Sequence, residues 1–156
     1  MTLGKLDMRF EAAAGRLQAP AWALMRVLSS AMFLTHGWTK MFGESAQPFL
    51  GGRDFFGVDI GVNTLWIAGV IEFYGGILLV FGLFTRYAAA FAALLMIMAY
   101  LAAHPAWFPT LNEGELAALY FVVYLALLAW GPGRYSLDAV LFGKAGGPAT
   151  STAWRI

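Results

Sequence analysis

Arg26 and Glu72 stand inside otherwise apolar runs, and their chemistry is the first thing the sequence asks about. On insertion scales a charge at mid-helix in a bilayer costs roughly 2.5–3.5 kcal/mol, so each needs a partner or a task. At helical spacing, Arg26, Ser29, Ser30, Phe33, His36, Gly37 and Lys40 share one broad face. At about 1.5 Å rise per residue, Arg26 and His36 bracket Glu72 in depth, each within about 10 Å. Two readings stay open at this point. In one, an Arg26–Glu72 pair locks two helices together. In the other, Arg26, Glu72 and His36 form a polar pocket that binds a polar headgroup or relays protons.

A second group gathers at the opposite end of the first run. Lys40 and His36 close that run, His104 closes the third, and Asn112, Glu113 and Glu115 open the fourth. Asn112 followed by Glu115 also has the form of a helix-capping box. Two histidines and a glutamate match no metal-site spacing, and bis-histidine haem ligation has no support. Cysteine is absent, which removes disulfides, thiolate metal sites and iron–sulfur ligation. No metal, haem or iron–sulfur centre is expected.

These groups are positioned by a chain built for an apolar solvent. Of 156 residues, 60% are apolar and 12% charged, with a mean hydropathy of +0.68. A globular domain is about half apolar and about a quarter charged. A water-soluble chain this short leaves too much surface exposed to hide that excess. The formal charge of +1 gives no basic field for nucleic acid.

Four apolar stretches approach the roughly 20 residues that cross a bilayer. They run from Pro20 to Met41, Thr64 to Phe84, Arg86 to Ala103 and Glu113 to Trp130, the last stopping at Gly131-Pro132-Gly133. Residues 1–19 read as an amphipathic cytoplasmic segment able to lie on the membrane surface. Residues 20–142 form the four-helix membrane domain, and residues 143–156 a flexible cytoplasmic tail. The apolar loop from Phe42 to Asn63 is expected to fold back on the bundle or rest in the interface. Lys5, Arg9, Arg16, Arg86, Arg134, Lys144 and Arg155 collect on one side, against Lys40 and Arg53 on the other. The positive-inside rule then places both termini in the cytoplasm, in an all-α bundle of four transmembrane helices.

Trp22, Trp38, Trp66, Trp107 and Trp130 near the run ends read as interface anchors. The deeper Phe73–Tyr74 and Tyr120–Tyr124 suit either packing or the lining of a cleft for a planar ring. At the cytoplasmic end, Arg86 or Arg134 is expected to pair with Asp138 and brace two loops.

Taken in order, three segments resemble the DoxX family of small integral membrane proteins. They are Arg26 through His36-Gly37-Trp38-Thr39-Lys40, Glu72-Phe73-Tyr74-Gly75-Gly76 through Thr85-Arg86, and Asn112 through Glu115 with Gly131 through Arg134-Tyr135-Ser136-Leu137-Asp138. The resemblance covers about Leu24 to Val140 and implies a four-helix membrane bundle in the plasma (inner) membrane. It further implies a subunit linked to quinone-dependent redox systems, such as thiosulfate:quinone oxidoreductase, or a partner in membrane redox-defence complexes. On that footing the expected cofactor is a bound quinone, and the expected partners are other membrane subunits and lipid. Candidate pocket residues are Arg26, His36, Lys40, Glu72, His104 and Glu115. Gly37, Gly75, Gly76, Arg86, Asn112, Arg134, Ser136 and Asp138 form the structural motif. The alternative is a non-catalytic accessory subunit that stabilises a larger respiratory or photosynthetic complex. Transport is disfavoured, because no broken-helix pair or internal repeat is visible.

Overall fold

The computed structural model describes residues 3–51, 57–58 and 60–147. It is all-helical, and no strand occurs among the described residues. An antiparallel bridge joins Leu50 to Val62. The helices are α1 (Leu3–Met41), α2 (Thr64–Phe81), α3 (Thr85–Ala103), α4 (Glu115–Trp130) and α5 (Leu137–Phe142), with a 3-10 turn at Pro109–Asn112. α2 and α3 are long and apolar enough to cross a membrane, whereas α4 is apolar but shorter.

Glycine sets the register of the first helix pair. A Cβ at Gly37 would fall 2.7 Å from Phe73 Cα, and one at Gly76 would fall 2.9 Å from Leu34 Cα. At Gly69 it would meet Lys40 Cβ at 3.0 Å. Real side chains do not fit at such separations, so α1 and α2 run antiparallel with backbones in near contact. Gly75 differs, since a methyl there would meet open space. It takes no part in the crossing.

The core sits between α1, α2, α3 and α4. Leu79, Ala89, Ala92, Tyr124 and Leu127 are completely buried, and Phe33 nearly so. Large apolar side chains cover the outside as well: Phe81, Phe91, Leu94, Leu119 and Val122 are all exposed. A water-soluble chain does not carry that much apolar surface outward.

Several expectations change here. α1 does not begin at Pro20 but runs unbroken through it from Leu3. Proline removes one helical hydrogen bond, and the flanking turns carry the helix across. Trp22 is not an interface anchor, because it is buried. Its Nε1 donates to Gly131 O at 3.0 Å, and its ring meets Trp130 edge-on. The helix α5 stands where one of the two braced loops is expected. Ser136 starts it: its side chain accepts from Ala139 N at 3.2 Å, and its Oγ donates to Gly133 O at 2.7 Å.

The loop after α1 does fold back. Phe42 packs against Phe73, and Phe49 against Trp66. Arg53, Arg155 and most of the tail, which entered the charge count for topology, lie outside the described residues.

Candidate functional site

Glu72 is buried at mid-α2, and its partner is Lys40. Lys40 Nζ donates to the two carboxylate oxygens at 2.6 and 2.5 Å. This is the one ion pair among the described residues. Glu72 is 6% exposed and Lys40 26% exposed, so the pair is open on the lysine side. The expected Arg26–Glu72 pair does not form. The register set by Gly37 and Phe73 places Glu72 opposite the end of α1, and Arg26 lies about 18 Å farther along that helix at 1.5 Å per residue.

Aromatic groups complete the surroundings. The His36 ring stands perpendicular to that of Tyr120, with centroids 6.4 Å apart. Tyr120 and Tyr124 are stacked in parallel at 5.8 Å, and Phe33 packs against both. Glu72 acts electrostatically on both tyrosines. The Tyr120 hydroxyl is buried and has no hydrogen-bond partner among the described residues. A buried hydroxyl left so is costly unless something occupies the space beside it. Separately, α2 and α3 part to form an apolar groove of about 430 Å³, lined by Thr64, Ala68, Ile71, Leu95, Met98 and Ala102. Ala68 lies one helical turn from Glu72 on α2, so groove and carboxylate are neighbours along the same helix.

Arg26 has a different task. It is 2% exposed, and its guanidinium is spent on backbone carbonyls. Nε donates to Pro132 O at 3.0 Å, Nη1 to Leu79 O and Val80 O at 2.6 Å, and Nη2 to Tyr135 O at 2.6 Å. The last carbonyls of a helix lack partners of their own, and five N–H donors in a planar fork suit them. Gly82, at φ 67°, ends α2 and leaves the space the guanidinium fills.

The expected Arg86–Asp138 or Arg134–Asp138 pair is likewise absent. Asp138 accepts from Phe84 N at 2.8 Å and Thr85 N at 2.9 Å, capping α3. Arg86 donates to Leu128 O and Ala129 O at the end of α4. Arg134 lies over the ring of Tyr135. The ends of α3 and α4 take up Asp138 and Arg86 because terminal backbone groups lack partners within their own helix.

The outer group also separates. His104 Nδ1 lies 2.7 Å from Asn112 O and so ties the α3–α4 connection together. The capping box does not form. Gly114 is the residue preceding α4, because Asn112 belongs to the 3-10 turn and Glu113 turns left-handed at φ 54°. Glu115 is exposed on the first turn of α4. Neither His104 nor Glu115 is bonded to Lys40 or Glu72. Among the described residues, no three of His, Asp and Glu converge as a metal-binding group would require.

A family model described as DoxX matches residues 21–105, a stretch that contains Arg26, Lys40 and Glu72. The chain belongs to the DoxX family of membrane proteins. An uncharacterised protein of Haemophilus influenzae is 39% identical over 127 residues, covering 78% of this chain and 91% of the relative. No solved structure matches. The DoxX match spans the α1–α2 crossing and all of α3, so the Lys40–Glu72 pair lies wholly within it.

Lys40 was legible as a polar residue at the end of α1 but not as the partner of Glu72. Gly37, Gly69 and Gly76 carried the missing signal. Matching small residues across two helices would have fixed the register and, with it, the pair.

Proposed function

We propose that this DoxX protein is a membrane subunit of a quinone-linked redox system that takes the quinone ring between Lys40, Glu72, His36 and Tyr120. The observation that carries the reading is the buried carboxylate of Glu72, held by a half-open lysine beside an unpartnered tyrosine hydroxyl. Lys40 and His36 supply donors for a carbonyl oxygen, Glu72 a base for a hydroxyl proton, and the tyrosine rings a flat face. The apolar groove between α2 and α3 suits an isoprenoid tail. When bound, the quinone supplies two-electron, two-proton chemistry. With no cysteine in the chain, the electrons pass to a partner subunit.

This reading includes α1 and α4 as further spans, giving four in all. The cations Lys5, Arg9, Arg16, Arg86 and Arg134 then put both termini on the cytoplasmic face of the inner membrane.

The test is quinone content after gentle detergent extraction, with micromolar titration of a short-chain quinone. Wild-type protein is expected to carry and bind quinone, and well-folded Glu72→Gln protein to lose it. Wild-type protein that neither retains nor binds quinone overturns the proposal.

A second reading is a non-catalytic accessory subunit, and the closeness of α1 to α2 favours it. There, Lys40–Glu72 is a pin beside Gly37 and Gly69. It expects Glu72→Gln to loosen the larger complex without changing turnover per intact complex.

A further inference from the structure

The first turns of α1 are the least covered part of the fold. Every described side chain from Leu3 to Leu17 is exposed, including Leu3 at 89%, Phe10 at 72% and Leu17 at 64%. α1 has 39 residues, about 58 Å at 1.5 Å per residue, against about 30 Å of hydrocarbon. An arm of some five turns therefore stands clear of the apolar layer. Because the helix is continuous through Pro20, no break turns the arm flat onto the membrane.

Its pattern is that of a seam. Leu3, Phe10, Ala13 and Leu17 recur at spacings of seven, three and four, which keeps them within an arc of about 80°. Lys5, Arg9 and Arg16 line one edge of that arc, and Asp7 and Glu11 line the other. Met8 and Gly15 fall on the opposite side of the helix.

We propose that this arm pairs in parallel with the same arm of a second copy of the chain. Two copies in one membrane share an orientation, so the two-fold axis relating them lies along the membrane normal and the arms run parallel. In a parallel pair the cationic edge of one helix faces the acidic edge of the other, whereas an antiparallel pair sets like charge against like. The edge charges thus suit the arrangement the bilayer imposes. A lipid surface would use the cationic edge and leave the acidic edge facing anionic headgroups.

The absence of cysteine makes the test clean. Single variants Phe10→Cys and Leu17→Cys on the seam, with Met8→Cys and Gly15→Cys opposite it, are oxidised in vesicles holding the full chain. Seam positions are expected to form disulfide dimers at least fivefold faster than the opposite positions. The combined reversal Arg9→Glu and Arg16→Glu is expected to slow dimer formation at Phe10→Cys severalfold, and adding Asp7→Lys and Glu11→Lys to restore it. Equal rates on the two sides overturn the pairing. So does a dye on Phe10→Cys that reports an apolar, lipid-like setting in vesicles holding one copy each.

Discussion

Asp138 caps α3 from across the sequence: its carboxylate accepts from Thr85 N at 2.9 Å and from Phe84 N at 2.8 Å. Phe84, the residue before α3, is left-handed at φ 49° and offers no side-chain cap of its own. The negative charge also meets the positive end of the α3 dipole. α5 exists to deliver this group, and Asp138 N returns a bond to Gly82 O.

Replacing Asp138 with Ala is therefore expected to destabilise the protein by about 2 kcal/mol, the upper range for loss of an N-cap. Asp138→Asn should cost about half as much, because one acceptor oxygen survives. Denaturant unfolding in detergent, followed by helical signal, measures both. Equal stability of Asp138→Ala and wild type would remove the capping role.

Arg26→Lys should behave as a severe change despite keeping the charge. A single ammonium cannot reach carbonyls on α2 and on the segment after α4 together, and buried carbonyls left unpaired cost about 1–3 kcal/mol each. A loss of about 3 kcal/mol is expected, with protease cutting first near Pro132. Quinone binding per folded molecule should be unchanged, since Arg26 lies far from Glu72.

Two neighbouring glycines give opposite signs. Gly37→Ala drives a methyl into the Phe73 backbone, and overpacking of this kind costs about 1–3 kcal/mol. Gly75→Ala meets open space and gains helix propensity, up to about 1 kcal/mol. Parallel unfolding curves separate them, and a destabilised Gly75→Ala protein would contradict the packing.

The Lys40–Glu72 pair can be tested for stability apart from ligand. Glu72→Leu alone leaves the lysine without its partner, at about 3 kcal/mol or somewhat less because Lys40 reaches solvent. Combining it with Lys40→Met should restore most of that stability while quinone binding stays lost. A double variant as unstable as the single would mean the pair is more than mutual compensation.

α2, α3 and α4 were legible as apolar runs, because a helix that is apolar all round shows its ends as composition. The all-α fold followed from the same signal, as did the fold-back of Phe42 and Phe49. What could not be read was which charge meets which. Arg26, Arg86 and Asp138 all bond to backbone, and a backbone carbonyl or N–H has no letter in the sequence. The eye therefore pairs side chain with side chain, as Arg26 with Glu72 or Arg86 with Asp138. Lys40 was hidden for another reason, since its partner depends on a register written in Gly37, Gly69 and Gly76. α5 escaped because six residues give no periodicity to recognise.

Arg26 has one more consequence, for what can pass along the bundle. Around Glu72 the polar groups open toward Lys40 and His36, where α1 ends. In the other direction stand the fully buried Leu79 and Leu127, and beyond them a guanidinium bonded to four backbone carbonyls. Such a group cannot give up its proton, and a fixed cation at a constriction repels hydronium and other cations. On the four-span reading proposed above, the same four carbonyl bonds that hold α2 to the last loop would also set a fixed charge against cation passage along the bundle.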